Sequence, residues 1–176
     1  MRPLFPTPGA LKLLFTDTDS LAYSVVTDDL FAVMSTRPEE FDFSNLPPEH
    51  PSYSLVNKMV PGKMKDDNAG CTMVEFVGHR AKAYSYLKMV DGKIENAKQL
   101  KGISKCVVKN EISHEDYRNT LMNQKILMAS IPAIRSKSHM LYTIEQSKKA
   151  LAFYDDKRYI LPDNIHTLPH GHYATL

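Results

Sequence analysis

Two apolar runs of strand length, Leu11-Lys12-Leu13-Leu14-Phe15 and Leu21 to Val26, are separated only by the polar segment Thr16-Asp17-Thr18-Asp19-Ser20. Short runs rich in β-formers on either side of a polar pentapeptide predict a β-hairpin with a polar tip. Thr27 is then placed to cap a short helix through Asp28 to Met34, which Pro38 would stop. Phe41 to Pro61 carries four prolines and little period, so a long surface excursion is expected. Strands are expected at Cys71 to Val77 and Lys82 to Val90, with an Asp91-Gly92 turn into Lys93 to Ala97. A helix should run from Ser113, with His114-Glu115-Asp116 in its first turn, to about Asn123. Ile126 to Tyr159 alternates as a strand pair around Ser136-Lys137-Ser138. The expected fold class is α+β, a hairpin and sheet with helices followed by a small β/α region, without internal repeats.

Composition sets the limits. A chain of 176 residues has room for one ordinary domain, with or without an appendage. Its 43% hydrophobic and 24% charged residues suit a globular protein rather than a disordered one. Two distant cysteines, Cys71 and Cys106, exclude a disulfide-rich scaffold or a zinc ribbon and fit a reducing compartment. No apolar run approaches the ~18 residues that a membrane span needs, so no membrane partner is expected. The first ten residues hold three prolines and one arginine, and the following apolar stretch is too short for a signal peptide. An intracellular location is therefore expected.

The formal net charge of +2 hides a segregation. From Asp17 to Val56 eight acids stand against one base, Arg37, a net of −7. From Asn57 to Lys109 eleven bases stand against five acids, a net of +6. An acidic block followed by a basic one suggests a place for cations and a place for phosphates, although two solvated faces of unlike sign would read the same way.

The chemistry concentrates at Asp17-Thr18-Asp19-Ser20. In an extended chain, residues i and i+2 share a face, so both carboxylates are expected to point the same way at the hairpin tip. Like charges this close are tolerated where divalent cations sit, and Mg²⁺ takes carboxylate together with phosphate oxygens. Two such ions clamp the attacking and leaving oxygens of an in-line phosphoryl transfer.

Phe15 to Ser20 resembles the Tyr-x-Asp-Thr-Asp-Ser motif of family B DNA polymerases, with Phe15 in place of the usual tyrosine. Lys82-Ala83-Tyr84 resembles the family's Lys-x-Tyr motif, and Lys101-Gly102 the short Lys-Gly element that follows it. Val74 to Gly78, Lys82 to Tyr86, His114 to Tyr117 and Tyr154 to Ile160 are similar to the protein-primed polymerases of Maverick/Polinton-type elements and related viruses. The resemblance runs from about Leu11 to Tyr173 and leaves residues 1–10 unplaced. It implies that residues 11–100 form the C-terminal part of a palm, and residues 101–176 a thumb-like region and tail.

By that resemblance Asp19 would be the stronger Mg²⁺ (or Mn²⁺) ligand. Asp17 would lie near the primer terminus, with Thr18 and Ser20 supporting the turn. Lys82 and Tyr84 would contact the primer–template duplex, and Lys101, Gly102, Arg80 and Lys105 would add phosphate contacts. The implied partners are DNA, a deoxynucleoside triphosphate and a protein primer, in a DNA-containing compartment such as a nucleus, organelle or viral factory. No segment matches the family's other palm aspartate, its fingers lysine or its proofreading exonuclease. The chain by itself is therefore expected not to synthesise DNA, as an incomplete gene prediction or a decayed element copy.

Two further readings stand beside this one. The chain could be a non-catalytic DNA-binding module derived from such a polymerase, or an unrelated metal-dependent hydrolase or structural domain whose Asp-Thr-Asp is accidental. Among other residues, His166, His170 and His172 have a spacing that can bind zinc, but no cysteine or carboxylate is expected within reach. His114 is expected at the surface, and His79 and His139 in structural roles. The methionines 59, 64, 73, 89, 122, 128 and 140 read as core or gap fillers, and Lys148-Lys149 as solvated.

Overall fold

The computed structural model describes residues 10–154, 158–163, 166–169 and 171–175. It is an α+β fold of several small sheets with few helices. The chain divides into two compact units, residues 1–74 with 88–95, and residues 75–87 with 96–176. No helix among the described residues is long and apolar enough to cross a membrane. Both cysteines are free thiols.

In the first unit, β1 (Leu11–Asp17) and β2 (Ser20–Val25) form the expected antiparallel hairpin. The register shifts between Leu13 and Phe15, and Asp17 pairs with Ser20, so the turn itself is only Thr18-Asp19. The short helix α1 (Leu30–Met34) is capped by Asp29 rather than Thr27: the Asp29 carboxylate accepts from the Ala32 N–H at 2.9 Å. A carboxylate two residues closer to the apolar residues wins because it reaches the orphan amides directly.

The region after Pro38 is not the loose excursion expected from its prolines. β3 (Phe41–Asp42) pairs in parallel with β4 (Met64–Lys65), and Phe41, Phe43 and Leu46 are buried against Phe31, Met34 and Tyr53. The Asn57 amide donates to the carbonyls of Pro38 and Phe41, both at 2.8 Å, and clips the loop to this small core. Three aromatic or branched side chains at 41, 43 and 46 outweigh the missing periodicity, since their burial rewards the loop for ordering.

A three-stranded meander, β5 (Met73–Arg80), β6 (Ala83–Val90) and β7 (Lys93–Leu100), gives residues to both units, with turns at Ala81-Lys82 and Asp91-Gly92. Positive φ at Asp91 and Gly92 is the two-residue hairpin pattern that Asp-Gly favours. In the second unit follow α2 (Lys105–Asn110), α3 (His114–Met122) and a long ribbon of β8 (Ile126–Lys137) with β9 (Met140–Ala152). A small pair, β10 (Arg158–Ile160) and β11 (Thr167–Pro169), completes it. The core gathers Val77, Ala83, Leu100, Val107, Ile112, Tyr117, Ile131 and Leu151 from strands and helices alike. The distal ribbon, 134–143, is exposed throughout.

Ser113 begins α3 with a capping box, its hydroxyl accepting from the Asp116 N–H while Asp116 Oδ2 accepts from the Ser113 N–H at 2.7 Å. His114, however, is buried rather than a surface residue, because the N-terminal turn of α3 carries it against Ser85 of β6. The methionines also differ from expectation: Met59, Met64, Met89, Met122, Met128 and Met140 are exposed, and the core volume is filled by branched and aromatic side chains instead.

Candidate nucleic-acid interface

The acidic tip belongs to the first unit. Asp17 ends β1 half-buried, with the Thr18 hydroxyl donating to its Oδ1 at 3.3 Å. Thr18 takes φ of +62°, and the chain reverses there, so Asp19 is an exposed turn residue and not the next outward position of a strand. Period-two alternation therefore does not set the direction of this carboxylate pair, contrary to the extended-chain expectation. Ser20 opens β2 as the partner of Asp17. Among the described residues no group of three or more His, Cys, Asp or Glu side chains gathers. Two carboxylates fall short of the ligand set that a closed two-ion centre made by this chain's own side chains would need.

The basic residues of the motifs, Arg80, Lys82, Lys101 and Lys105, belong to the second unit, whereas Lys58, Lys63, Lys65, Lys88 and Lys93 of the basic block belong to the first. The turn residue Lys82, at φ of +58°, offers its carbonyl to the Lys101 N–H at 2.8 Å, which joins the Lys-x-Tyr and Lys-Gly segments through the backbone. Gly102 has φ of +100°, a conformation in which any side chain would be strained. Arg80, Lys101 and Gly102 line a cavity of about 340 Å³ together with Lys148, Lys149, Ala150 and Ala152. Lys105 is exposed at the first position of α2 and is not part of that lining. Tyr84 lies half-buried on the face of β6 opposite the buried Ala83 and Ser85, with its ring 6.1 Å from Phe76 and 6.5 Å from Tyr86. A row of three aromatic rings thus runs along one face of this sheet.

His79 supports the cavity wall from behind. Its ring nitrogens lie 2.8 Å from the Ala152 carbonyl oxygen and 2.9 Å from that of Tyr117, which ties the end of β9 to α3. Burial pushes the Tyr117 phenol well above its ordinary pKa, against the pull of the Arg80 charge, so the neutral hydroxyl donates to the Gln99 carbonyl at 3.1 Å.

Lys148 and Lys149 are the residues that sequence reasoning missed. They pair regularly with Ala129 and Met128, and the ladder shifts just after them, where Leu127 pairs with Leu151. Ala150 is the extra residue, and Ala150, Leu151 and Ala152 are buried in succession. That unbroken small and apolar triplet after two lysines was the trace of a bulge in the sequence.

A serine, a histidine and a carboxylate also meet in this unit. Ser85 Oγ lies 2.8 Å from His114 Nδ1, and His114 Nε2 lies 3.6 Å from Glu75 Oε1. Ser85 is wholly buried and its hydroxyl donates to Asn96 Oδ1 at 3.1 Å, so no substrate reaches it and the array is a polar joint between α3 and the sheet. In the tail, Asp163 Oδ2 lies 2.5 Å from His166 Nδ1, so a carboxylate does stand beside that histidine; His170 lies outside the described residues.

Compared with protein-family models, with curated proteins and with solved structures, the chain gives no significant match to any.

Proposed function

We propose that the chain is the palm-and-thumb part of a DNA-directed DNA polymerase of the family B type, contributing Asp17 and Asp19 to Mg²⁺-dependent nucleotidyl transfer and its basic second unit to duplex binding. The observation that carries the reading is the two-residue hairpin turn that puts Asp-Thr-Asp-Ser at its tip, with Asp19 exposed to a ligand. The backbone link between Lys82 and Lys101 supports it, because it draws two separate basic motifs into one stretch of surface. Mg²⁺ would be held by Asp19 with Asp17, and when bound it would neutralise charge on triphosphate and primer oxygens. Lys82, Lys101 and Arg80 would neutralise duplex phosphates without reading sequence, while Tyr84 would present its ring and hydroxyl beside them.

A fluorescence-anisotropy titration on a primer–template duplex at several salt concentrations tests this. The expected result is sequence-independent binding that falls steeply with salt, a shallower slope in Lys82→Ala/Lys101→Ala, and unchanged duplex affinity in Asp19→Ala. Line broadening by Mn²⁺ should be centred on the Thr16–Ser20 amides and be lost in Asp19→Ala. Absence of duplex binding at low salt would overturn the proposal, and duplex binding without Mn²⁺ broadening at the tip would leave a DNA-binding module without polymerase chemistry.

A further inference from the structure

The geometry points to a phosphate-recognition cavity in the second unit, bordered by the bulge residue Ala150 and using two lysines outside every motif that suggested the polymerase reading. Strict strand geometry would send Lys148 and Lys149 to opposite faces. Both are regularly paired, Lys148 with Ala129 and Lys149 with Met128, with the extra residue Ala150 following them, and long flexible side chains let both border the same hollow as Arg80 and Lys101.

The described lining brings together four cations and no acid. Its other members, Gly102, Ala150 and Ala152, are small, and the cavity has a volume of about 340 Å³. That volume takes a compact polyanion rather than a lone chloride ion. A hollow lined by one arginine and three lysines offers charge-assisted hydrogen bonds to tetrahedral oxyanions, with the planar fork of arginine suited to two oxygens at once. Lys149 is held in place as it does so: its Nζ donates to the Tyr154 hydroxyl at 2.9 Å and sits 5.1 Å from the centre of that ring. The pinning of Ala152 by His79 fixes the wall on the same side. The ligand chemistry is thus a phosphate group carrying more than one negative charge, or successive phosphates. It can come from a nucleic-acid backbone or from a free polyphosphate such as a nucleotide tail.

The inference does not depend on the polymerase reading, and the two can fail separately. Calorimetry with inorganic tripolyphosphate and anisotropy with a short duplex form the two arms, applied to the whole chain. Lys148→Ala/Lys149→Ala is expected to weaken binding roughly tenfold or more in at least one arm, since it removes two charge-assisted contacts from exposed positions. Lys148→Arg/Lys149→Arg should retain binding, and Lys137→Ala, at the far end of the ribbon, should change neither arm. An effect on the duplex alone identifies the backbone as the phosphate source. An effect on tripolyphosphate alone identifies a free anion and leaves the cavity standing even if duplex binding, and with it the polymerase reading, is lost. If the wild-type chain binds neither ligand, or the double alanine variant binds both as tightly as wild type, the cavity is not a phosphate site.

Discussion

Asp42 shows how one side chain holds a loop that lacks regular structure. Burial favours its protonated form, but the hydroxyl and N–H of Ser44, the Met59 N–H at 3.3 Å and Lys65 at 3.4 Å outweigh it and lower its pKa from 3.8 to about 2. A depressed carboxyl contributes stability that is fully present above the unfolded value and disappears as pH falls through the folded one. The contribution, about 2 kcal/mol, should therefore be lost between pH 4 and pH 2. Asp42→Asn should cost a similar amount at pH 7 and much less at pH 2, which denaturant titrations at both pH values will show; parallel losses at the two would refute the assignment. Thr18 is the opposite case, a residue at odds with its backbone. Positive φ at the first turn residue alone is the type II′ pattern, where glycine is favoured and a β-branched residue is strained. Thr18→Gly is expected to raise hairpin stability by up to about 1 kcal/mol, read as slower amide exchange in β1 and β2. A loss of protection instead would mean that the Thr18–Asp17 contact outweighs the strain.

At the scale of elements, the sequence was most legible where a local rule acts alone. Ser113 with Asp116 three residues on specified the start of α3, and Asp91-Gly92 specified the β6–β7 turn. Ser113→Ala should lower stability by about 1 kcal/mol, seen as a fall in Tm, because it removes the hydroxyl that caps the Asp116 amide. Elements that depend on tertiary burial were not legible. α2 is only six residues long, and its Val107 and Val108 make it helical by packing, with little periodic signal to announce it. The 41–46 segment was hidden by prolines, and the bulge at Ala150 by the assumption of a regular ladder. At the candidate site the same division holds: Arg80, Lys101 and Gly102 were singled out from sequence, whereas Lys148 and Lys149 joined them only through the tertiary placement of β9.

The whole molecule carries its apolar side chains unevenly. The first unit has a cluster of three buried hydrophobic residues supported by three half-buried ones, and only Ala22 is buried in the β1–β2 hairpin. The second unit has twelve buried residues in one cluster. Hydrogen exchange followed by mass spectrometry should accordingly show the slowest amides in β6, α3 and the proximal halves of β8 and β9, and much faster exchange in β1 and β2. Equal protection in both units would show that burial is not what limits opening. The long two-stranded ribbon has a different implication. Over its exposed distal stretch, 134–143, its flanks pair with no other described strand and present main-chain groups as a template for a strand from another molecule. Arg135, Lys137, Lys148 and Lys149 act as gatekeepers along the ribbon by mutual repulsion between copies, so concentrated polyanions, by cancelling that repulsion, would encourage the chain to self-associate edge to edge.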